Sequence, residues 1–396
     1  MTHRRFEGGM VVLDGELRRA DVTTIDGHIA EVTTEDSRSR TAASEPDAGS
    51  SGTPDVIDCE GLIVAPGYID LQCNGAGGFD LTGEIVDGPE VIGHVAEALP
   101  RFGVTSFLPT VVTSPREVRD AAREAIRRAR PGAPGSASPL GLHFEGPMIS
   151  RDHLGAHADE LATSLDDDEI DEWIADDTVA LVTLSPEFSG AVEVVRRLSA
   201  SGVVVSAGHT GASPSEFDMA RRSGLSYVTH LFNAMAPFDH RNPGPIGAVL
   251  GDPTVTAGLI CDGIHVDPVT VRMAWRSLGP SRLSLVSDAA APLGAPFGTF
   301  DLGRRKVRHD TNGVRTTDGT LAGSALALDQ AVRNLVEFTD CSFVDAIATV
   351  TTTPADLLGL TDRGRITTGA HADLTILTPD GQLVATVIGG DVAWKS

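Results

Sequence analysis

Eight short apolar runs, separated by stretches of helical periodicity, restrict the folds open to this chain more than any other feature. Between about residues 62 and 362 they read "LIVAPGYIDLQ", "VTSFLPTV", "LGLHFEG", "VALVTLSP", "VVVSAGHT", "YVTHLFN", "TVTAGLICD" and "LSLVSDA". Strands of a parallel sheet are buried on both faces and therefore read as near-continuous apolar, β-branched runs. Segments between them, such as "PREVRDAAREAIRRAR" and "DPVTVRMAWRSLG", carry apolar residues at helical spacing. Strand and helix alternating eight times predict a (β/α)8 barrel. An open, doubly wound sheet is the competing arrangement. No G-x-G-x-x-G or G-x-x-x-x-G-K-[ST] signature follows any of the runs, which weakens a nucleotide-binding version of it.

The two ends of the chain have a different texture. Residues 8–34 read as short β-segments punctuated by "DG" turns, and the end of the chain, "GRITTGAHADLTILTPDGQLVATVIGGDVAWKS", returns to short strands and glycine turns. Both ends together predict one small β-sandwich domain built from the two termini. The expected divisions are residues 1–62 and 363–396 for that domain and 63–362 for the barrel. Residues 35–55, rich in Ser, Ala, Asp, Gly and Pro, read as a flexible surface insertion.

Charge and cysteine usage exclude several function classes. A formal net charge of −24 disfavours nucleic acid and anionic membranes as partners, since both need a positive footprint. All but two of the 31 basic residues are arginines, a bias that fits a GC-rich genome, and the acidity fits salt adaptation; neither identifies a function. Cys59, Cys73, Cys261 and Cys341 are far apart and form no C-x-x-C pair, so a structural zinc cluster or disulfide framework is not expected. No run reaches membrane-spanning length, and the basic start "MTHRRFEGGMVVLDG" lacks an apolar core. The expectation is a reduced, cytoplasmic protein.

A barrel of this type places its active site at the C-terminal ends of the strands. There the runs carry Gln72 and Asn74 (first), His143 and Glu145 (third), His209 (fifth), His230 (sixth), Asp262 and His265 (seventh) and Asp288 (eighth). Glu145, His209 and His230 form a suitable ligand set for a catalytic zinc, with a fourth position left for water. Asp288 would lie across the mouth as a base toward that water. A lone histidine at a strand end is more often a satisfied core residue; distribution over four strands is what favours a metal site. Alone, Asp288 also suits a helix N-cap.

The segments "APGYIDLQCNGAGG", "GLHFEGP", "SAGHT", "VTHLFNAM", "ICDGIHV", "LVSDA" and "LAGS" occur in that order. Together they resemble the N-acetylglucosamine-6-phosphate deacetylase family of the amidohydrolase superfamily, over essentially the whole chain. The resemblance implies a metal-dependent-hydrolase TIM-type barrel that removes acetate from a phosphorylated amino sugar, giving glucosamine 6-phosphate. It assigns Glu145, His209 and His230 to the metal, and Asp288 to the role of base and then acid. His157, with Ala156, is implied to meet the sugar and polarise the acetamide carbonyl. Asn233 and Ala234 match a phosphate-binding turn, and His265 a further substrate contact. Leu321, Ala322 and Gly323 of "LAGS" match a loop closing over the substrate. Arg241 resembles an arginine that reaches the phosphate from the neighbouring subunit, implying a homodimer. On residue type alone, Arg241 also suits a surface ion pair and His157 a solvated loop.

Small departures from the family pattern, Phe144, Thr210 and Ser287, are conservative. Much of the superfamily has H-x-H at the end of the first strand, where a second metal is held. Gln72 and Asn74 stand there instead, and neutral amides are weak zinc ligands, so these positions read as a vacated second-metal position. The expectation is one divalent ion per chain: Zn2+ first, with Fe2+, Co2+ or Mn2+ suited to the same donors. Alternatives are a related amidohydrolase acting on the galactosamine isomer, an N-acyl amino acid or a cyclic amide, and a non-catalytic scaffold that keeps the barrel.

Overall fold

The computed structural model describes residues 2–34, 53–130 and 132–396. Eight strands form the barrel: Tyr68–Cys73, Val104–Val112, Leu142–Glu145, Val179–Leu184, Val204–Ala207, Leu225–Val228, Thr256–Leu259 and Leu283–Leu285, here barrel strands 1 to 8. They pair in parallel in chain order. Strands 8 and 1 share no full ladder. The seam is closed by a bridge between Cys73 and Ala289 and by the Asn74 N–H donating to the Ala289 carbonyl (2.6 Å).

The crossover helices form where the sequence supplies a start signal and an apolar face. Ser213 and Glu216 make a capping box for Pro214–Arg222, and Asp267 caps Pro268–Leu278 by accepting from the Val269 N–H. Helix Arg116–Ala129 turns Arg119, Ala122, Ala125 and Ile126 inward at spacings of three and four. The buried guanidinium of Arg119 is compensated by a bidentate pair with Glu169 (2.7 and 2.9 Å) on the next helix, Asp167–Ile174.

The second unit is a nine-stranded mixed sheet drawn from both ends of the chain. Its long strand Glu16–Ile25 pairs with Met10–Leu13 over the first half and with His3–Glu7 over the second, joining two halves around a core that includes Phe6, Val11, Val22, Ile29, Leu374 and Val387. One expectation needs correction. The run "LIVAPGYIDLQ" is two strands, not one. Ile63–Pro66 pairs with Met10–Val11 and Leu374–Leu377 in the terminal sheet, and only Tyr68–Cys73 enters the barrel. Gly67 separates them, at a point where a Cβ would lie 2.2 Å from the Thr105 hydroxyl. The insertion expected at 35–55 lies outside the described residues except for its last three, and Asp55 already opens the strand Asp55–Asp58. Among the described residues no helix is long and apolar enough to cross a membrane.

A third sheet was not anticipated. Gly298–Leu302, Arg305–Asp310 and Gly313–Thr316 form an antiparallel, three-stranded hairpin after barrel strand 8. Leu302, Val307 and Val314 seat it on Ala290 and Ala322 at the barrel mouth.

Candidate active site

A cavity of about 360 Å³ opens at the C-terminal ends of the barrel strands. Its lining includes Asn74, Glu145, Ala156, His157, His209, His230, Asn233, Ala234, His265, Asp288, Leu321, Ala322 and Gly323. All thirteen expected site residues other than Gln72 and Arg241 therefore line this one cavity. Gln72 lies just behind, bonded to Glu145, while Arg241 is exposed on the loop after Phe238 and does not line the cavity.

Three imidazoles surround one carboxylate. Glu145 Oε1 lies 2.9 Å from His230 Nε2 and 3.2 Å from His209 Nε2, and the two ring nitrogens are 3.1 Å apart. His157 Nε2 approaches Glu145 Oε2 at 3.6 Å. Ligand atoms of Glu145, His157 and His209 also lie within 4.8 Å of one another, so distance alone allows His157 into the cluster in place of His230. Ring partners set His157 apart from His209. His209 Nδ1 faces the His153 carbonyl (2.9 Å), which can only accept, so its Nε2 carries a lone pair toward Glu145. His157 Nδ1 receives the Thr113 main-chain N–H (3.3 Å), which can only donate. With Nδ1 as the acceptor of that N–H, the His157 proton falls on Nε2 and this ring becomes a hydrogen-bond donor into the site. Thr113 Oγ1 holds the same Nδ1 at 2.7 Å.

The donor set suits a divalent cation. Burial alone would lift the Glu145 carboxyl, but the imidazoles of His157, His209 and His230 around it outweigh that and hold the group well below the usual range. Burial lowers His230, yet Glu145 and then Asp288 reverse the direction and raise it. His157, at the longer distance, goes the other way: burial and then the neighbouring His209 push it down to about 4, leaving it neutral. One carboxylate can compensate one cation. Two imidazole nitrogens 3.1 Å apart, both buried beside a carboxylate, are what a borderline N/O-binding metal satisfies.

Asp288 faces this cluster from the seam. Burial and the charge of Glu145 raise its carboxyl to about 6, and Asn74 Nδ2 donates to its Oδ1 at 2.7 Å. Gln72 Nε2 donates in the same way to Glu145 Oε1 at 3.0 Å. His209, His230 and Asp288 all have left-handed backbone, with φ of 49°, 31° and 47°, as do Phe232 and Ala234. Such conformations cost on the order of 1–3 kcal/mol each outside glycine and concentrate at functional sites. They turn each side chain off the end of its strand into the mouth.

Other strand-end residues are supports. His143, two positions before Glu145 on the same face, is one layer deeper, bonded to Thr183 Oγ1 (2.7 Å) and absent from the cavity lining. Asp262 holds His265 Nδ1 at 2.6 Å, fixing the orientation of the His265 ring. Thr113, Arg304 and Arg305 line the cavity without having been anticipated. A basic stretch, "GRRKVRH", in so acidic a chain was the available signal for the two arginines.

Similarity to known proteins extends over most of the chain. Residues 63–393 match the amidohydrolase family. The N-acetylglucosamine-6-phosphate deacetylase of Bos taurus is 40% identical, over 85% of this chain and 85% of its own. The Bacillus subtilis protein of that name is 33% identical, over 84% and 85%. The crystal structure of the Pasteurella multocida deacetylase superposes over the whole of both chains with a TM-score of 0.89 at 28% identity. A mutant of the Mycobacterium smegmatis deacetylase, in complex with N-acetyl-D-glucosamine-6-phosphate, gives 0.86 at 28% identity over 99% of this chain and all of its own. D-hydantoinase, at 15% identity and a TM-score of 0.61, shares the fold. This chain belongs to the amidohydrolase family, in its N-acetylglucosamine-6-phosphate deacetylase branch.

Proposed function

We propose that the chain hydrolyses N-acetyl-D-glucosamine 6-phosphate to D-glucosamine 6-phosphate and acetate, a step of amino-sugar catabolism or recycling. The observation that carries this reading is the convergence of Glu145, His209 and His230 opposite Asp288 in one cavity of a chain with this family membership. Glu145, His209 and His230 would hold one divalent ion, which we assign as zinc. When bound, the ion supplies the Lewis acidity that gives water a pKa near about 7.

The remaining chemistry belongs to the protein. Asp288, with its carboxyl near 6, takes a proton from the attacking water as the C–O bond forms. It returns that proton to the amine nitrogen as the C–N bond breaks, leaving acetate and the free amine. His157, neutral and protonated on Nε2, donates to the acetamide oxygen as negative charge develops there. Asn233, Ala234 and His265 take the phosphate, and Arg241 of a partner subunit completes its charge balance in a homodimer. Leu321, Ala322 and Gly323, facing Ala156, enclose the sugar. Gln72 and Asn74 occupy the vacated second-metal position. Four free cysteines support a reducing, cytoplasmic setting.

Acetate release from N-acetylglucosamine 6-phosphate is the test. Activity lost on chelation and restored by one equivalent of zinc is expected, with the unphosphorylated sugar turned over poorly. Equal turnover of both sugars would overturn the phosphate assignment, and full activity after rigorous chelation would overturn the metal.

A further inference from the structure

The hairpin after barrel strand 8 has no part in this chemistry, yet its tip forms one wall of the cavity. Leu302 pairs with Arg305, so Gly303 and Arg304 make a two-residue turn, with Gly303 at φ 55°. Two contacts hold the tip. The Gly303 N–H donates to Asp80 Oδ2 (2.8 Å), a buried carboxylate that also caps the helix Leu81–Glu84 through the Gly83 N–H (2.7 Å). On the other side, Arg305 Nη2 donates to the main-chain carbonyl of His157 at 3.0 Å.

The second contact matters because of where His157 lies. The segment carrying it has only two 3₁₀ turns, Arg151–His153 and Asp159–Leu161, and no ladder to fix its backbone. Thr113 sets the ring, as described, but a ring held at one nitrogen still moves with its own main chain. His209 holds the start of the segment through the His153 carbonyl, and Arg305 ties the main chain at His157 itself to a regular element, the hairpin strand Arg305–Asp310. Displacements of about 1 Å at a group acting on the transition state are able to cost about a hundredfold in rate.

We propose that Arg305 is a positioning residue for the reaction, holding His157 at the height from which its Nε2–H meets the acetamide oxygen. This rests on the reading of His157 as the donor to that oxygen. The test is a double-substitution cycle with Arg305→Gln and His157→Asn, scored as kcat and KM for acetate release. Arg305→Gln alone is expected to lower kcat about tenfold or more with KM nearly unchanged, Arg305→Lys to recover part of the loss, and Arg305→Gln to add nothing once His157 is Asn. Amide hydrogen exchange over residues 154–158 is expected to speed up about tenfold in Arg305→Gln, with the thermal midpoint unchanged. Losses that multiply in the double variant, or a raised KM with kcat intact, would overturn the proposal and make Arg305 a direct substrate contact. A wild-type protein that releases no acetate would sink the functional reading instead, and the exchange rates would still decide whether Arg305 fixes the His157 segment.

Discussion

At the end of barrel strand 1, two side-chain amides face two carboxylates; at the ends of strands 5 and 6, two imidazoles face one of the same carboxylates. Gln72 donates to Glu145 and Asn74 to Asp288, whereas His209 and His230 bring ring nitrogens to Glu145. An amide NH2 only donates, so the first corner can orient a carboxylate oxygen but offers a metal only weak carbonyl donors. Gln72 Oε1 and Asn74 Oδ1 are buried without hydrogen-bond partners among the described residues, at about 1–3 kcal/mol for each unmade bond. The second corner presents lone pairs at a separation that only a shared proton or cation makes favourable. One mouth thus divides its labour: donors hold the acids on one side, and acceptors converge on the other, where we propose the cation.

The division breaks most visibly on the cation side. His230→Ala is expected to remove the bound metal and all measurable acetate release, while wild type holds one ion per chain by metal analysis; two tightly bound ions would erase the contrast between the corners. Asp288→Asn keeps the cation corner intact and is expected to retain metal while losing about 10²–10⁴ in kcat. A variant that loses metal as well would mean that Asp288 is a ligand and not only the base. Asn74→Leu is expected to cost about ten- to a hundredfold in kcat with metal content unchanged, because it frees Asp288 Oδ1 without touching Glu145. If metal content fell instead, the strand 1 corner would be part of the cation site.

How much of this was readable from sequence follows from the range of the interactions. Barrel strands announce themselves because burial on both faces forces apolar runs, and His209, His230 and Asp288 stood out as polar residues ending such runs. The split of "LIVAPGYIDLQ" did not, since both halves are apolar and only close packing of Gly67 on Thr105 parts them. Gly298–Leu302 and Arg305–Asp310 were missed because an exposed hairpin with charged outward faces carries little apolar signal. Arg305 reaches a carbonyl 148 positions away, a relation no local pattern encodes. The His157 tautomer depends on the Thr113 main chain and needed coordinates.

The smallest expected effect concerns the acid beneath the amide corner. Asp70 is fully buried and accepts from Ser287 Oγ (2.5 Å) and from the Ser287 and Gln72 main-chain N–H groups (both 3.2 Å). Burial nevertheless raises its carboxyl from 3.8 to about 6, with these hydrogen bonds opposing the rise. An acid whose folded pKa is raised binds its proton more tightly in the native state than in the unfolded one. Below about pH 4 both states are protonated and the group is neutral to stability; between about 4 and 6 the native state becomes progressively less stable as pH rises; above that the penalty is constant. At 1.36 kcal/mol per pKa unit its ceiling is about 3 kcal/mol. Asp70→Asn cannot ionise, so its stability relative to wild type should improve by up to that amount between about pH 4 and 7, even though losing charged acceptors for Ser287 lowers it at every pH. Urea unfolding of both proteins across that range measures the difference directly. A pH-independent gap would mean that Asp70 keeps an ordinary pKa and that the donors around this corner, Ser287 and Gln72, fully offset its burial.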